Sequence, residues 1–154
     1  MSRQTTSEDE EPEQPQNGDY HVDDQIGLLI RRAHQRASAI FAQHFTHSGL
    51  SPLQFTALIK IRDEGRVSQN QLGRLVFVDP STIMGVVARL HDRGFIRRLP
   101  DPRDKRRMLL TITSTGLKLA EDLECVGHEV TRATLAPLTM SERAQLHDLL
   151  SKLN

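Results

Sequence analysis

Apolar residues recur at helical spacing along most of this chain, interrupted by one short block where the spacing changes. From Val22 to about His47, the positions Ile26, Leu29, Ile30, Ala33, Ala37, Ile40, Phe41 and Phe45 follow a 3.6-residue period, which predicts a long first helix stopped by Gly49. Ser51-Pro52 restarts a helix, with serine as N-cap and proline at the first helical position. That helix carries Leu53, Phe55, Leu58, Ile59 and Ile61 and ends near Glu64-Gly65, before an extended link at Arg66-Val67. Ser68 caps a short helix from Gln69 to Leu75, Val76-Phe77-Val78 turns the chain, and Asp79-Pro80 opens another helix that Gly94 ends.

The helix opened by Asp79 has two unlike sides. Ile83, Val86, Val87 and Leu90 fall at i, i+3, i+4, i+7 and predict a buried face. Ser81, Thr82, Met84, Gly85, Ala88 and Arg89 make the other side small or polar, a surface that fits a DNA major groove and offers hydrogen-bonding groups. Two short helices joined by a tight turn, the second with such a face, read as a helix-turn-helix. Then the period shifts. Phe95 to Leu99 and Met108 to Ile112 read as strands around the turn-forming, charged run Pro100-Asp101-Pro102-Arg103-Asp104-Lys105-Arg106-Arg107. A basic β-hairpin after the second helix is a wing. Thr113 or Ser114 caps a further long helix stopped by Pro137, and Thr139 with Glu142 forms a capping box for a last helix striped by Leu146, Leu149, Leu150 and Leu153.

The predicted class is therefore mainly α (α+β): a winged helix-turn-helix over residues 51–112, flanked by long helices at 22–48 and 113–154. The flanking helices have too few partners in so small a chain to bury their apolar sides, so a second copy is expected to cover them as a two-fold homodimer. Such a dimer would present two reading helices to the half-sites of a palindromic operator.

Charge strengthens this picture. The formal net charge is zero, yet eight of the 20 acidic residues and only one of the 20 basic ones lie in residues 1–24. The body is left at about +7, with seven basic residues between Arg93 and Arg107. That pattern points to double-stranded DNA as partner. Residues 1–20, rich in Glu, Gln, Pro and Ser, are predicted to be a disordered acidic tail. Cys125 is the single cysteine, which excludes a disulfide framework and, with no apolar span and no secretory leader, fits the cytoplasm and no membrane.

The succession of long helix, Ser-Pro helix, short helix, Asp-Pro-Ser-Thr helix, Arg-Gly-Phe-Ile-Arg-Arg, Asp-Pro-Arg-Asp-Lys-Arg and Leu-Thr-x-Thr-x-x-Gly resembles the MarR (multiple antibiotic resistance regulator) family from about Val22 to Asn154. The resemblance implies a winged helix-turn-helix in a triangular homodimer whose members usually repress neighbouring genes. They release DNA when a small ligand, often a phenolic or aromatic acid, binds. It also implies roles for residues. Ser81, Thr82 and Arg89 match the major-groove face, with Gly85 and Met84 beside them. Arg106 matches the minor-groove wing arginine, Asp104 the acid that helps hold the wing arginines, and Arg103, Lys105 and Arg107 phosphate or groove contacts.

The effector pocket implied by the resemblance lies between the dimerisation helices and the reading module. There Arg31, Arg32, His34, His44 and His47, with Phe41, Phe45 and Phe55, could take a small aromatic carboxylate by charge at one end and stacking at the other. The same residues also read as core phenylalanines and solvent-facing histidines. His44 and His47 have an i, i+3 spacing that suits a metal, but no Cys or carboxylate completes a set, so neither a metal nor another cofactor is expected. No Gly-rich phosphate loop, nucleophile elbow or metal cluster is present, so no catalytic residue and no enzyme activity is expected. The competing function is a ligand-independent architectural DNA-binding protein.

Overall fold

Five of the helix starts are fixed by side-chain caps that the sequence advertises. In a computed structural model describing residues 21–153, the Ser51 hydroxyl accepts from the Gln54 amide at the start of α2 (Pro52–Glu64), and Gln54 returns the bond to the Ser51 amide. Ser68 caps α3 (Gln69–Leu75), Asp79 caps α4 (Pro80–Asp92), Thr113 caps α5 (Ser114–Thr134), and Thr139 with Glu142 forms a second reciprocal box on α6 (Met140–Ser151). Each cap is worth about 1 kcal/mol. The acidic tail predicted over residues 1–20 lies outside the described residues.

The first helix departs from the expected 22–48 span at both ends. Val22–Asp24 form a single 3-10 turn, Gln25 is extended, and α1 runs only Ile26–His44. Gln25 makes no side-chain cap, so the apolar period alone could not carry the helix back to Val22. At the far end the Thr46 hydroxyl donates to the carbonyls of Ala42 and Gln43, and the chain turns away before His47. The α5 helix likewise stops at Thr134, short of Pro137.

The expected hairpin is present with its first strand displaced by one residue: β2 is Ile96–Pro100 and β3 is Met108–Ile112, antiparallel, with Ile96 opposite Ile112 and Pro100 opposite Met108. The Arg66-Val67 link contributes a two-residue strand, β1 (Val67–Ser68), which pairs with β3 to give the sheet order β1-β3-β2. The core sits where α2, α3 and α4 meet this sheet. Leu58, Ile61, Val67, Leu72, Ile83, Val87, Leu90, Ile96 and Leu110 are fully buried there. Each such side chain stabilises the fold by about 1.5–3 kcal/mol, so the module that carries α4 is rigid.

Three arginines join distant elements. Arg62 on α2 reaches Glu124 on α5 at 2.8 Å and its neighbour Asp63 at 2.9 Å, and Glu124 followed by Asp63 holds its guanidinium more firmly protonated than usual. Arg36 on α1 donates to the terminal carbonyls of α5, at Thr134 and Ala133. Arg93 donates to the carbonyls of Ser48 (2.6 Å) and Gly49 (3.1 Å) and lies 4.7 Å over the Phe95 ring, joining the α1–α2 turn to the end of α4. By contrast Ile26, Leu29 and Ile30 on α1 and Met140 and Leu149 on α6 remain exposed, as does Leu153 beyond it. Among the described residues, no helix is long and apolar enough to cross a membrane.

Candidate nucleic-acid interface

The buried side of α4 is the one its spacing predicts: Ile83, Val86, Val87 and Leu90 all face the core. Packing that side fixes the opposite one outward. Ser81, Thr82, Met84 and Arg89 are exposed, and Gly85 is half-buried. A Cβ on Gly85 would stand 3.7 Å from Nη1 of Arg89. That is an ordinary van der Waals distance, so the guanidinium lies back along the helix surface over Gly85, one turn toward the N-terminus.

At the start of α4 one carboxylate organises the whole first turn. Asp79 Oδ1 accepts from the Ser81 amide (2.9 Å), the Thr82 amide (3.0 Å) and the Ser81 hydroxyl (2.6 Å), while Oδ2 accepts from the Thr82 hydroxyl at 2.6 Å. The Ser81 hydroxyl first, then the Thr82 hydroxyl and amide, hold the Asp79 carboxyl far below the usual carboxylate range. It is therefore ionised at any pH where the protein works.

The wing tip is built on two aspartates. Asp101 is buried; its amide donates to the Arg107 carbonyl at 2.9 Å and its Oδ1 accepts from the Arg103 amide at 2.9 Å. Asp104 accepts the Arg107 amide on its carbonyl (2.8 Å) and the Arg106 amide on its carboxylate (3.0 Å). Its contact with the Arg106 guanidinium is looser, 3.8 Å, and the Arg106 side chain is 97% exposed. Asp104 thus acts chiefly on the backbone of the turn. An exposed pair of this kind is worth at most about 1 kcal/mol. Arg103, Lys105, Arg106 and Arg107 all project into solvent from this frame.

A hollow of about 310 Å³ separates the wing from α3, lined by Ser68, Gln69, Asn70, Arg74, Arg107 and Met108. Arg74 and Asn70 also line a neighbouring hollow of about 430 Å³ that reaches Pro80 at the start of α4. Sequence reasoning marked neither residue, although an exposed cation in the last turn of α3 was a usable signal. Asp101 was equally passed over, as one more turn-former.

The α3–α4 turn holds a further residue that the sequence does not flag. Phe77 has φ 56°, in the left-handed region, and is 82% exposed. That conformation costs a side-chain-bearing residue roughly 1–2 kcal/mol, and an exposed ring recovers little of it. Phe77→Asn is therefore expected to stabilise the protein by about 1 kcal/mol, since asparagine tolerates this conformation. The check is the urea midpoint at constant m-value; a lower midpoint would show that the ring is held by contacts worth more than the strain.

The residues proposed from sequence for a small acid fall into two groups. Phe41 and Phe45 are buried and stacked, centroids 3.8 Å apart and 13° from parallel, and Phe55 closes the cluster at 4.8 Å from Phe45. His44, on the same helix, approaches Glu129 of α5 at 3.8 Å. Arg31, His34 and His47 are exposed. Arg31 precedes Phe41 by ten residues, about 15 Å along the helix axis, so within one chain it does not share a site with the rings. Among the described residues, no group of three or more His, Cys, Asp or Glu side chains could hold a metal ion.

Comparison with known proteins places this architecture. Residues 50–108 match the model of the MarR family. The transcriptional repressor NicR of Pseudomonas putida is 34% identical over 137 residues, covering 89% of this chain and 87% of its own length. A probable transcriptional regulator from Pseudomonas aeruginosa superposes with a TM-score of 0.84 at 42% identity, over 87% of this chain and all of that one. BpsR of Bordetella bronchiseptica, whose DNA binding is regulated by 6-hydroxynicotinic acid, superposes with a TM-score of 0.85 at 36% identity, over 88% of this chain and 97% of its own. On these matches the chain belongs to the MarR family of winged helix-turn-helix transcriptional regulators.

Proposed function

We propose that the protein is a cytoplasmic homodimeric repressor that grips a palindromic operator with two copies of α4 and the wing and lets go when a small aromatic or phenolic acid binds. One observation carries the DNA-binding part: the exposed small and polar side of α4 is locked outward by a fully buried apolar side, next to a turn that projects four cations. In this reading Ser81, Thr82, Gly85 and Arg89 meet base edges in the major groove, Arg106 enters the minor groove, and Arg103, Lys105 and Arg107 neutralise phosphates. Asp104 keeps the wing turn in shape. The exposed apolar residues at the start of α1 and on and just beyond α6 are the surface that a second copy would cover.

The effector half of the proposal draws on BpsR, whose DNA binding 6-hydroxynicotinic acid regulates, and on the Phe41–Phe45–Phe55 cluster. An aromatic acid would extend that stack. Its carboxylate would take His44 from Glu129, which sits at only 3.8 Å. His47 lies next in sequence, while Arg31 and His34 would join only from the second copy. The experiment is an anisotropy titration of a labelled operator duplex with and without 6-hydroxynicotinic acid and a panel of phenolic acids. A releasing acid is expected to weaken binding between about 5- and 150-fold, the usual range of allosteric coupling. If no acid changes DNA affinity and palindromic and random duplexes bind alike, the chain is a ligand-independent architectural protein instead.

A further inference from the structure

Capping explains only half of what Asp79 does. A helix N-cap needs one oxygen to receive the orphan amides of the first turn, and Oδ1 fills that role by accepting from the amides of Ser81 and Thr82. Oδ2 serves no backbone group. Its bond is to the Thr82 hydroxyl at 2.6 Å, and Oδ1 takes the Ser81 hydroxyl at the same distance.

An ionised carboxylate is an acceptor only, so both hydroxyls must donate to it. A hydroxyl has one proton and two acceptor lone pairs. With their protons turned inward, Ser81 and Thr82 keep only lone pairs for a partner, and both residues are exposed on the outer side of α4.

We infer that Asp79 is a specificity-determining residue: by holding the Ser81 and Thr82 protons inward, it makes the start of α4 an acceptor surface that selects bases offering a hydrogen-bond donor in the major groove. Those bases are cytosine, through its N4 amino group, and adenine, through N6. Guanine and thymine present only acceptors there, at N7 and O6 or at O4, and would face lone pairs with lone pairs. Asp79 need not touch DNA; it acts through the two hydroxyls. The inference rests on reading α4 as the helix that enters the groove.

Asp79→Asn separates polarity from capping. The asparagine carbonyl can still accept both amides, and asparagine is as good an N-cap as aspartate. Its amide nitrogen, in place of Oδ2, would donate to Thr82 Oγ1 and turn that hydroxyl's proton outward. The threonine then becomes a donor.

The test uses the full chain to select duplexes from a randomised pool, for wild type, Thr82→Val and Asp79→Asn. Thr82→Val is close to isosteric and locates the base under residue 82 as the position where preference is lost. Wild type is expected to enrich cytosine or adenine at that position. Asp79→Asn is expected to switch it to guanine or thymine, with a change in relative preference of about tenfold. Circular dichroism is the check that the variant is folded. The inference is overturned if Asp79→Asn enriches the wild-type motif more weakly, which would make Asp79 a cap alone. It is equally overturned if wild type prefers guanine or thymine under residue 82, or if Thr82→Val changes no position. A wild-type chain that enriches no motif at all overturns the operator-binding reading itself, an outcome distinct from the other three.

Discussion

Replacing Gly116 with alanine is expected to cost the fold about 3 kcal/mol, at the upper end of the penalty for forcing extra volume into a packed interior. Gly116 sits in the first turn of α5, buried, where that helix presses on the end of the hairpin. A Cβ built on it would collide with the carbonyl oxygen of Phe95 and would stand 3.0 Å from Ile112 Cγ1. The obstacle is backbone, and it cannot swing away, because the Phe95 carbonyl already accepts the Thr113 amide at 3.0 Å. Thr113 adds two more bonds at the same place, donating to the Gly94 carbonyl at 2.6 Å and accepting from the Gly116 amide at 3.1 Å. The junction of α4, the wing and α5 therefore passes through a Thr-x-x-Gly segment with no spare room. Urea unfolding measures the loss directly, and Gly27→Ala supplies the control. Gly27 lies in α1 with nothing within 4 Å of its would-be Cβ, so alanine there should gain up to about 1 kcal/mol from helix propensity. A Gly116→Ala loss below 1 kcal/mol would mean that the junction is softer than its hydrogen bonds indicate.

That junction also shows where the sequence was readable. The starts of α2, α3, α4 and α6 could be placed to the residue from Ser51, Ser68, Asp79 and Thr139, while that of α5 stayed open between Thr113 and Ser114, two adjacent capping residues of which the structure uses Thr113. The two-sided character of α4 was legible for the same reason: i, i+3, i+4 spacing is local information. What failed was either local geometry that the residue type argues against or contacts between distant parts of the chain. The apolar period alone extended α1 back to Val22 and on to His47, but a period says nothing about an uncapped Gln25 or about a Thr46 hydroxyl bonding back to the Ala42 and Gln43 carbonyls. Phe77 in a left-handed conformation runs against every propensity for phenylalanine. The Arg93 link to Ser48 and Gly49 spans 44 or 45 residues, and no spacing rule reaches that far. At the candidate site the exposed cations and Asp104 were legible but Asp101 was not: its part lies in its burial and its bond to the Arg103 amide, which its place among turn-forming residues does not reveal.

Arg106→Ala is expected to weaken operator binding about tenfold per wing, and so about a hundredfold for a two-winged dimer, while lowering the slope of log K against log salt by about 1 per wing. The expectation follows from the geometry of the wing tip. Arg106 has its amide tied to Asp104, and its guanidinium is 97% exposed, with only a loose 3.8 Å ion pair to Asp104. Deleting the side chain therefore leaves the turn intact, because the bonds that shape it run through backbone amides and the carboxylates of Asp101 and Asp104. Stability should change by less than about 0.5 kcal/mol, so a loss of affinity cannot be attributed to unfolding. Arg106→Lys refines the result. It keeps the charge and restores the salt slope, but it lacks the planar fork, so recovery of the slope with only part of the affinity would locate the arginine in a groove instead of on a phosphate. An anisotropy titration over several salt concentrations reads both quantities. If Arg106→Ala keeps both the affinity and the slope of the wild type, the wing does not engage DNA through this residue. Arg103, Lys105 and Arg107, which share the turn and its exposure, would then have to carry the contact.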